Sequence, residues 1–123
     1  MNGTNPMADA EIAWTSFESS VRMFRMHHFS KGYGDKIHAT QKPVALYDWI
    51  FENYAKQGQT ILDTHLGSGS SRIAAYKAGL DFYGCELDKE YFDASEKRFQ
   101  TFKANHTRFE TGIDAKEQLT MTL

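Results

Sequence analysis

The apolar positions of this 123-residue chain change their period several times along its length. Across residues 10–17 (AEIAWTSF), Ile12, Trp14 and Ser16 fall on one side, the two-residue repeat of a strand. Residues 21–29 read the same way, with Val21, Met23, Arg25 and His27 alternating against Arg22, Phe24, Met26 and His28. Residues 30–41 contain Gly32 and Gly34 and read as a loop. The repeat then lengthens. Val44, Tyr47, Ile50 and Tyr54 share one helical face, and Pro43 stands where its fixed φ and missing N–H suit a first turn. Gln57-Gly58-Gln59 predicts the stop. A short strand follows at residues 60–64 (TILDT), then a Gly/Ser turn at 66–71. Residues 72–78 predict a helix closed by Gly79. A second strand is expected at 81–86 (DFYGCE), and a helix at 89–102 carrying Phe92, Phe99 and Phe102. Beyond Ala104 the chain is polar, with 106–111 a candidate short strand. Strand, glycine turn, helix, strand, helix is the alternation that builds a parallel sheet, and predicts the first unit of a doubly wound α/β fold.

Composition narrows the picture without redirecting it. Apolar residues at 41% and charged residues at 24% are ordinary for a globular chain, and the length allows one domain with a modest core. The longest apolar runs are a few residues, too short for a membrane span. Residues 1–8 are small and polar, lack the regions of a secretory signal, and are expected to form a disordered leader. The lone Cys85 has no disulfide partner or zinc-site companions, which suits a reducing cytoplasm. The net charge of −2 argues against a polycation. However, residues 22–42 hold Arg22, Arg25, Lys31, Lys36 and Lys42 against the single acid Asp35, so this segment is either a solvated loop or a face for phosphates.

The sharpest constellation is Ile61-Leu62-Asp63-Thr64-His65-Leu66-Gly67-Ser68-Gly69-Ser70-Ser71, followed by Gly84-Cys85-Glu86-Leu87-Asp88. Gly67 and Gly69 follow a strand and open a helix, so a ligand can lie against bare backbone. Unpaired N–H groups at the helix start, with Ser70 and Ser71 beside them, favour a carboxylate or phosphate. Glu86 comes nineteen residues after Gly67, at the end of the next strand, where its two oxygens match the cis-diol of a ribose. A dinucleotide fingerprint would need a third glycine where this chain has Arg72. Asp63 lies too early to meet a pyrophosphate but could take the amino group of a methionine moiety. Together these acids suit S-adenosylmethionine better than NAD. His65 is given no catalytic role, because a lone histidine is more often packed or solvent-facing.

These segments, with Ile37-His38-Ala39-Thr40-Gln41-Lys42-Pro43 ahead of a helix and Tyr91-Phe92 after the second acid, resemble the DNA amino-methyltransferases of the adenine-N6 and cytosine-N4 type. The likeness runs over about residues 9–102 and is nearest to adenine-specific phage enzymes. It follows the order of a permuted class in which the cofactor turn lies C-terminal to the catalytic motif. Thr64-His65 stands where Pro-Phe is more usual, and Ser70-Ser71 where paired threonines are. The resemblance implies a partial Rossmann-like sheet of the S-adenosylmethionine-dependent type. It divides the chain into a leader (1–8), a cofactor-binding portion (9–103) and a polar tail (104–123). Asp63 would hold the methionine ammonium, and Gly67, Ser68 and Gly69 would line the methionine and ribose, with Ser70 near the carboxylate. Glu86 would bind the ribose hydroxyls, and Leu87 with Tyr91 or Phe92 would flank the adenine, although Phe92 is more readily a core residue. Thr40, Gln41 and Lys42 would close over the cofactor, with Lys42 as the cation for its carboxylate.

The family's catalytic motif, a polar residue followed by Pro-Pro and an aromatic, is not in this sequence. Its two prolines, Pro6 and Pro43, are isolated. The expectation is therefore the cofactor-binding part of a DNA methyltransferase: a natural fragment, one piece of a split enzyme or a shortened chain. Its partners would be DNA in the complete enzyme and a separate catalytic half, with self-association when alone. A degenerate module that binds S-adenosylmethionine or a partner without chemistry is the alternative, as is a cytosine-N4 enzyme fragment.

Overall fold

A computed structural model of the chain describes residues 10–26, 37, 41–106 and 118–122. Helix α1 (Val44–Tyr54) opens after Pro43, whose extended backbone (φ −69°, ψ 146°) makes it the N-cap, and whose carbonyl accepts from Leu46 N at 3.1 Å. Val44 and Phe51 are its buried residues, two turns apart on one face. A tight turn follows, with Gly58 at φ 86°, Gln59 N donating to Lys56 O at 3.1 Å and Gln59 Oε1 accepting from Lys56 N at 2.7 Å. It delivers the chain into strand β1 (Thr60–Asp63).

From β1 the chain passes through the glycine turn into α2 (Ser70–Lys77), then β2 (Asp81–Glu86), α3 (Lys89–His106) and β3 (Gln118–Thr122). The three strands form one parallel sheet in the order β1-β2-β3. Gly84 of β2 stands between Asp63 on one side and Thr120 on the other. Strand β2 is therefore paired along both edges, whereas β1 is paired along one among the described residues. The sheet with its helices is the partial Rossmann-like α/β architecture expected from the alternation of elements.

The core is built by Val44, Phe51, Leu66, Ile73, Ala74, Ala75, Leu80, Phe82 and Phe99. Ala74 and Ala75 are fully buried, and their small side chains let α2 approach both α1 and β2. Asp48 of α1 and Lys77 of α2 make an ion pair at 2.5 Å. A second polar tie joins three elements. The buried Arg72 of α2 pairs with Glu96 of α3 at 2.6 Å and lies 3.7 Å from the ring centroid of Phe99. Thr120 of β3 donates to the same Glu96 oxygen at 3.2 Å. Burial by itself would raise the Glu96 pKa, but hydrogen bonds from Gln100, Arg72 and Thr120 and the Arg72 charge outweigh it and hold the carboxyl below its usual range. Arg72, where a dinucleotide fold would have glycine, is thus a packing residue.

Three readings of the sequence need correcting. Residues 10–26 hold no strand. Alternation supplies two faces, but a strand also needs a neighbour's edge, and this segment lies along α1 instead. Phe17 meets Tyr54 (ring centroids 5.1 Å), Phe24 meets Trp49 (5.8 Å), and Arg22 bonds to Asn53. Ile12, Trp14 and Val21 stay exposed. The remainder of the second expected strand, residues 27–29, lies outside the described residues. Helix α3 runs past Phe102 to His106, where the imidazole stacks on Phe102 (5.1 Å) and meets Tyr76 edge-on (6.0 Å). Finally, the polar C-terminal stretch supplies β3, while most of the candidate strand at 106–111 lies outside the described residues.

Candidate cofactor site

The C-terminal ends of β1 and β2 are adjacent, and the two acids singled out in the sequence stand there, one on each strand. Open α/β sheets bind ligands at such strand ends. Leu66 fastens the intervening turn to the sheet: its N–H donates to Cys85 O at 2.9 Å, and its carbonyl accepts from Gly69 N at 2.9 Å. Gly67 (φ 54°) and Gly69 (φ 76°) adopt left-handed conformations that side-chain-bearing residues disfavour. Gly69 is also the N-cap of α2, and a Cβ there would come within 3.3 Å of Ser95 Cβ.

Glu86 is oriented by two backbone amides, with Oε2 accepting from Gly67 N at 2.8 Å and Oε1 from Asp88 N at 3.0 Å. The first bond ties the end of β2 directly to the glycine turn. Asp88 then caps α3, its Oδ1 accepting from Tyr91 N at 3.0 Å. Asp63 is held as firmly, with Oδ1 accepting from His65 N at 3.0 Å and Oδ2 from Ser71 Oγ at 2.5 Å. Its negative charge also reaches Tyr47 of α1: burial first, and the Asp63 charge second, push that phenol's pKa above its ordinary value.

Ser68 and Ser70 are buried, their hydroxyls 3.2 Å apart. Arg98, from the third turn of α3, reaches both: Nη1 donates to Ser68 O at 3.0 Å and Ser70 Oγ at 2.9 Å. Burial lowers the pKa of this guanidinium, although an arginine remains charged.

The structure therefore places Asp63, Gly67, Ser68, Gly69, Ser70 and Glu86 on or beside the turn at the strand ends, in separate hydrogen-bonded sets: Asp63 with His65 and Ser71, Glu86 with Gly67 and Asp88, and Ser68 and Ser70 with Arg98. Leu87 follows directly, with 79% of its surface exposed, while Phe92 packs against the core. Gln41 and Lys42 are engaged elsewhere. Gln41 Oε1 accepts from Ile37 N at 2.9 Å, four residues upstream, and Lys42 pairs with Glu11 of the N-terminal segment. Thr40 lies outside the described residues. His65 sits exposed beside Thr64 Oγ1 at 2.9 Å.

Tyr47 and Arg98 were not assigned a role from the sequence, and Ser71 was read only as a hydroxyl beside the helix start, not as the partner of Asp63. Ser71 had a signal, since a hydroxyl at the start of α2 can turn back toward the preceding strand. Tyr47 occupied a core position of α1. Arg98 had no local signal at all: in Glu96-Lys97-Arg98 it reads as part of a solvated charged face.

Comparison with known proteins supplies the family. The family model described as DNA methylase, N6_N4_Mtase, matches residues 12–97, and the chain belongs to that DNA amino-methyltransferase family. It is similar to the Type II methyltransferase M.HinfI of Haemophilus influenzae, 33% identical over 72 residues, which cover 58% of this chain and 20% of that protein. It is also similar to the Type II methyltransferase M2.DpnII of Streptococcus pneumoniae, 38% identical over 63 residues, covering 51% of this chain and 24% of that protein. The matched stretch thus spans a fifth to a quarter of each relative. Both relatives are bacterial and lend no support to the phage likeness read from the sequence. No solved structure matches the chain.

Proposed function

We propose that this chain is the S-adenosylmethionine-binding portion of a DNA methyltransferase that modifies the exocyclic amine of a base, adenine N6 in particular. The observation that carries the proposal is the bracing of Glu86 on Gly67 N and Asp88 N, which sets a carboxylate at the strand ends where a ribose cis-diol can be met. The other acid fits the same ligand. Asp63, its oxygens fixed by His65 N and Ser71 Oγ, suits an ammonium group, and the glycine turn between the acids lets ligand atoms approach the backbone. Leu87 offers an exposed apolar surface beside Glu86 for the flat face of an adenine. When bound, the cofactor supplies an electrophilic methyl group; these residues hold and orient it.

Thr40, Gln41 and Lys42 belong to the proposal on the strength of the family resemblance. For Lys42 to meet the cofactor carboxylate it must leave Glu11, and an exposed ion pair of this kind is worth about 0–1 kcal/mol, a small barrier to exchange. The acceptor base, the DNA duplex and the Pro-Pro-aromatic segment that would receive a flipped base are supplied beyond these residues. The preference for adenine rests on the sequence resemblance, and the lone Cys85 suits work in the cytoplasm. No described helix is long and apolar enough to cross a membrane.

Calorimetry of the chain with S-adenosylmethionine, its demethylated product S-adenosylhomocysteine and NAD tests the reading. The two methionine-derived ligands should bind and NAD should not. Glu86→Ala should weaken binding by about 1–3 kcal/mol, the loss of a charged acceptor for ligand hydroxyls. Tighter binding of NAD overturns the proposal. In a complemented enzyme, mass spectrometry of digested DNA should find N6-methyladenine; N4-methylcytosine would move the assignment to the other base.

A further inference from the structure

We infer that Arg98 is a positioning residue for the cofactor turn, holding it in the form that receives the carboxylate end of the ligand. The inference rests on the S-adenosylmethionine reading above and adds a residue to it from a different element. One guanidinium nitrogen donates to a turn carbonyl, Ser68 O, and to the Ser70 hydroxyl at the first residue of α2. Both serines are at least nineteen-twentieths buried, so neither acceptor can turn to bulk water instead. Two consequences follow.

The first is geometric. A carbonyl bonded to a cation on its α3 side is fixed in that direction, and fixing one peptide plane fixes the neighbouring N–H groups. The planes concerned lie between Gly67 and Gly69, whose left-handed torsions are intrinsically easy to leave because glycine has many alternatives. Without Arg98 the turn keeps its glycine freedom and loses a tether. The second consequence is electrostatic. A half-buried charge is screened less completely than one in open water, so Arg98 adds positive potential behind the turn at the end where a ligand carboxylate would lie. Neither consequence bears on the adenosine end, which Glu86 and Leu87 would handle.

Two measurements on the full chain test this, using Arg98→Met and Arg98→Lys. In calorimetry, Arg98→Met should reduce affinity for S-adenosylhomocysteine about tenfold and for 5′-methylthioadenosine, which lacks the amino-acid end, less than about twofold. Arg98→Lys should recover part of the difference by restoring the charge. In hydrogen exchange without ligand, Arg98→Met should speed exchange at the amides of residues 67–71 and leave those of β2 unchanged. Equal losses for both ligands, or uniformly faster exchange, would make Arg98 a general packing residue and overturn the inference. If the unaltered chain binds neither ligand, the functional reading fails, while the exchange comparison still decides whether Arg98 positions the turn.

Discussion

Gly84→Ala isolates the link between sheet packing and the turn. Gly84 has an ordinary strand conformation, so alanine meets no backbone strain there. The obstacle is space. An added Cβ would lie 2.8 Å from Phe82 Cε1 and 2.9 Å from Leu66 Cδ1, closer than real Cβ contacts allow. Neither neighbour can yield into solvent, because Phe82 is fully buried and Leu66 is 4% exposed. Overpacking of this kind costs about 1–3 kcal/mol. Removing a glycine from the unfolded chain returns about 0.4–1 kcal/mol. With mid-range values the net loss is about 1.3 kcal/mol, a fall in Tm of roughly 4–8 °C for a domain of this size. Leu66 is the residue most exposed to the consequence, since both its backbone bonds fasten the turn. Displacing it pulls Gly67 N from Glu86, so affinity for S-adenosylhomocysteine should also fall, by about two- to tenfold. Gly58→Ala is the control. Its φ of 86° imposes strain of about 1–2 kcal/mol, but an added Cβ there meets nothing within 4 Å, and it lies at the opposite end of β1. It should lower Tm without altering affinity. Scanning calorimetry and titration on both variants decide the matter. A Gly84→Ala protein with unaltered Tm and affinity would refute the reasoning.

Three further outcomes are expected. The purified chain should transfer no radiolabelled methyl group to mixed-sequence DNA, because positioning the base supplies much of the rate and the Pro-Pro-aromatic segment is not in this sequence; robust turnover would contradict that. Alone, the chain should self-associate through the edge of β1 that has no partner among the described residues, seen by light scattering, whereas a monodisperse monomer with strongly protected amides at 60–63 would show that the edge is closed. The lowered pKa of Glu96 means its stabilising contribution is complete above the ordinary glutamate pKa and is lost as pH falls through the lower folded value. Glu96→Gln should flatten the acid limb of a stability–pH curve, and an identical limb would remove Glu96 from that role.

Elements with a packed face were legible in the sequence. The period of Val44, Tyr47, Ile50 and Tyr54 marked α1 to both ends, and the 81–86 run marked β2. Helix α2 begins two residues before the expected start because Ser70 and Ser71, read as turn residues, enter its buried first turn. What could not be read was anything decided by a partner. Residues 10–26 have a strand's alternation but rest on α1, whereas the polar stretch at 118–122 becomes β3 because β2 offers it an edge. The same division holds at the site. Asp63, Gly67, Gly69 and Glu86 follow from spacing around a strand end, whereas Arg98 reaches Ser68 across thirty residues of chain.

Among the described residues the sheet has an open edge at each end, on β1 and on β3, and the one on β1 belongs to the strand that carries Asp63. Any segment that completes the sheet there also raises a second wall beside the strand ends, turning an open shelf into a crevice. A ligand gripped more tightly by the crevice than by the shelf must, by thermodynamic reciprocity, strengthen attachment of that segment by the same factor. Cofactor and complementing segment would then act as effectors of each other. Titrating either in the presence of the other would measure a single coupling constant from two directions.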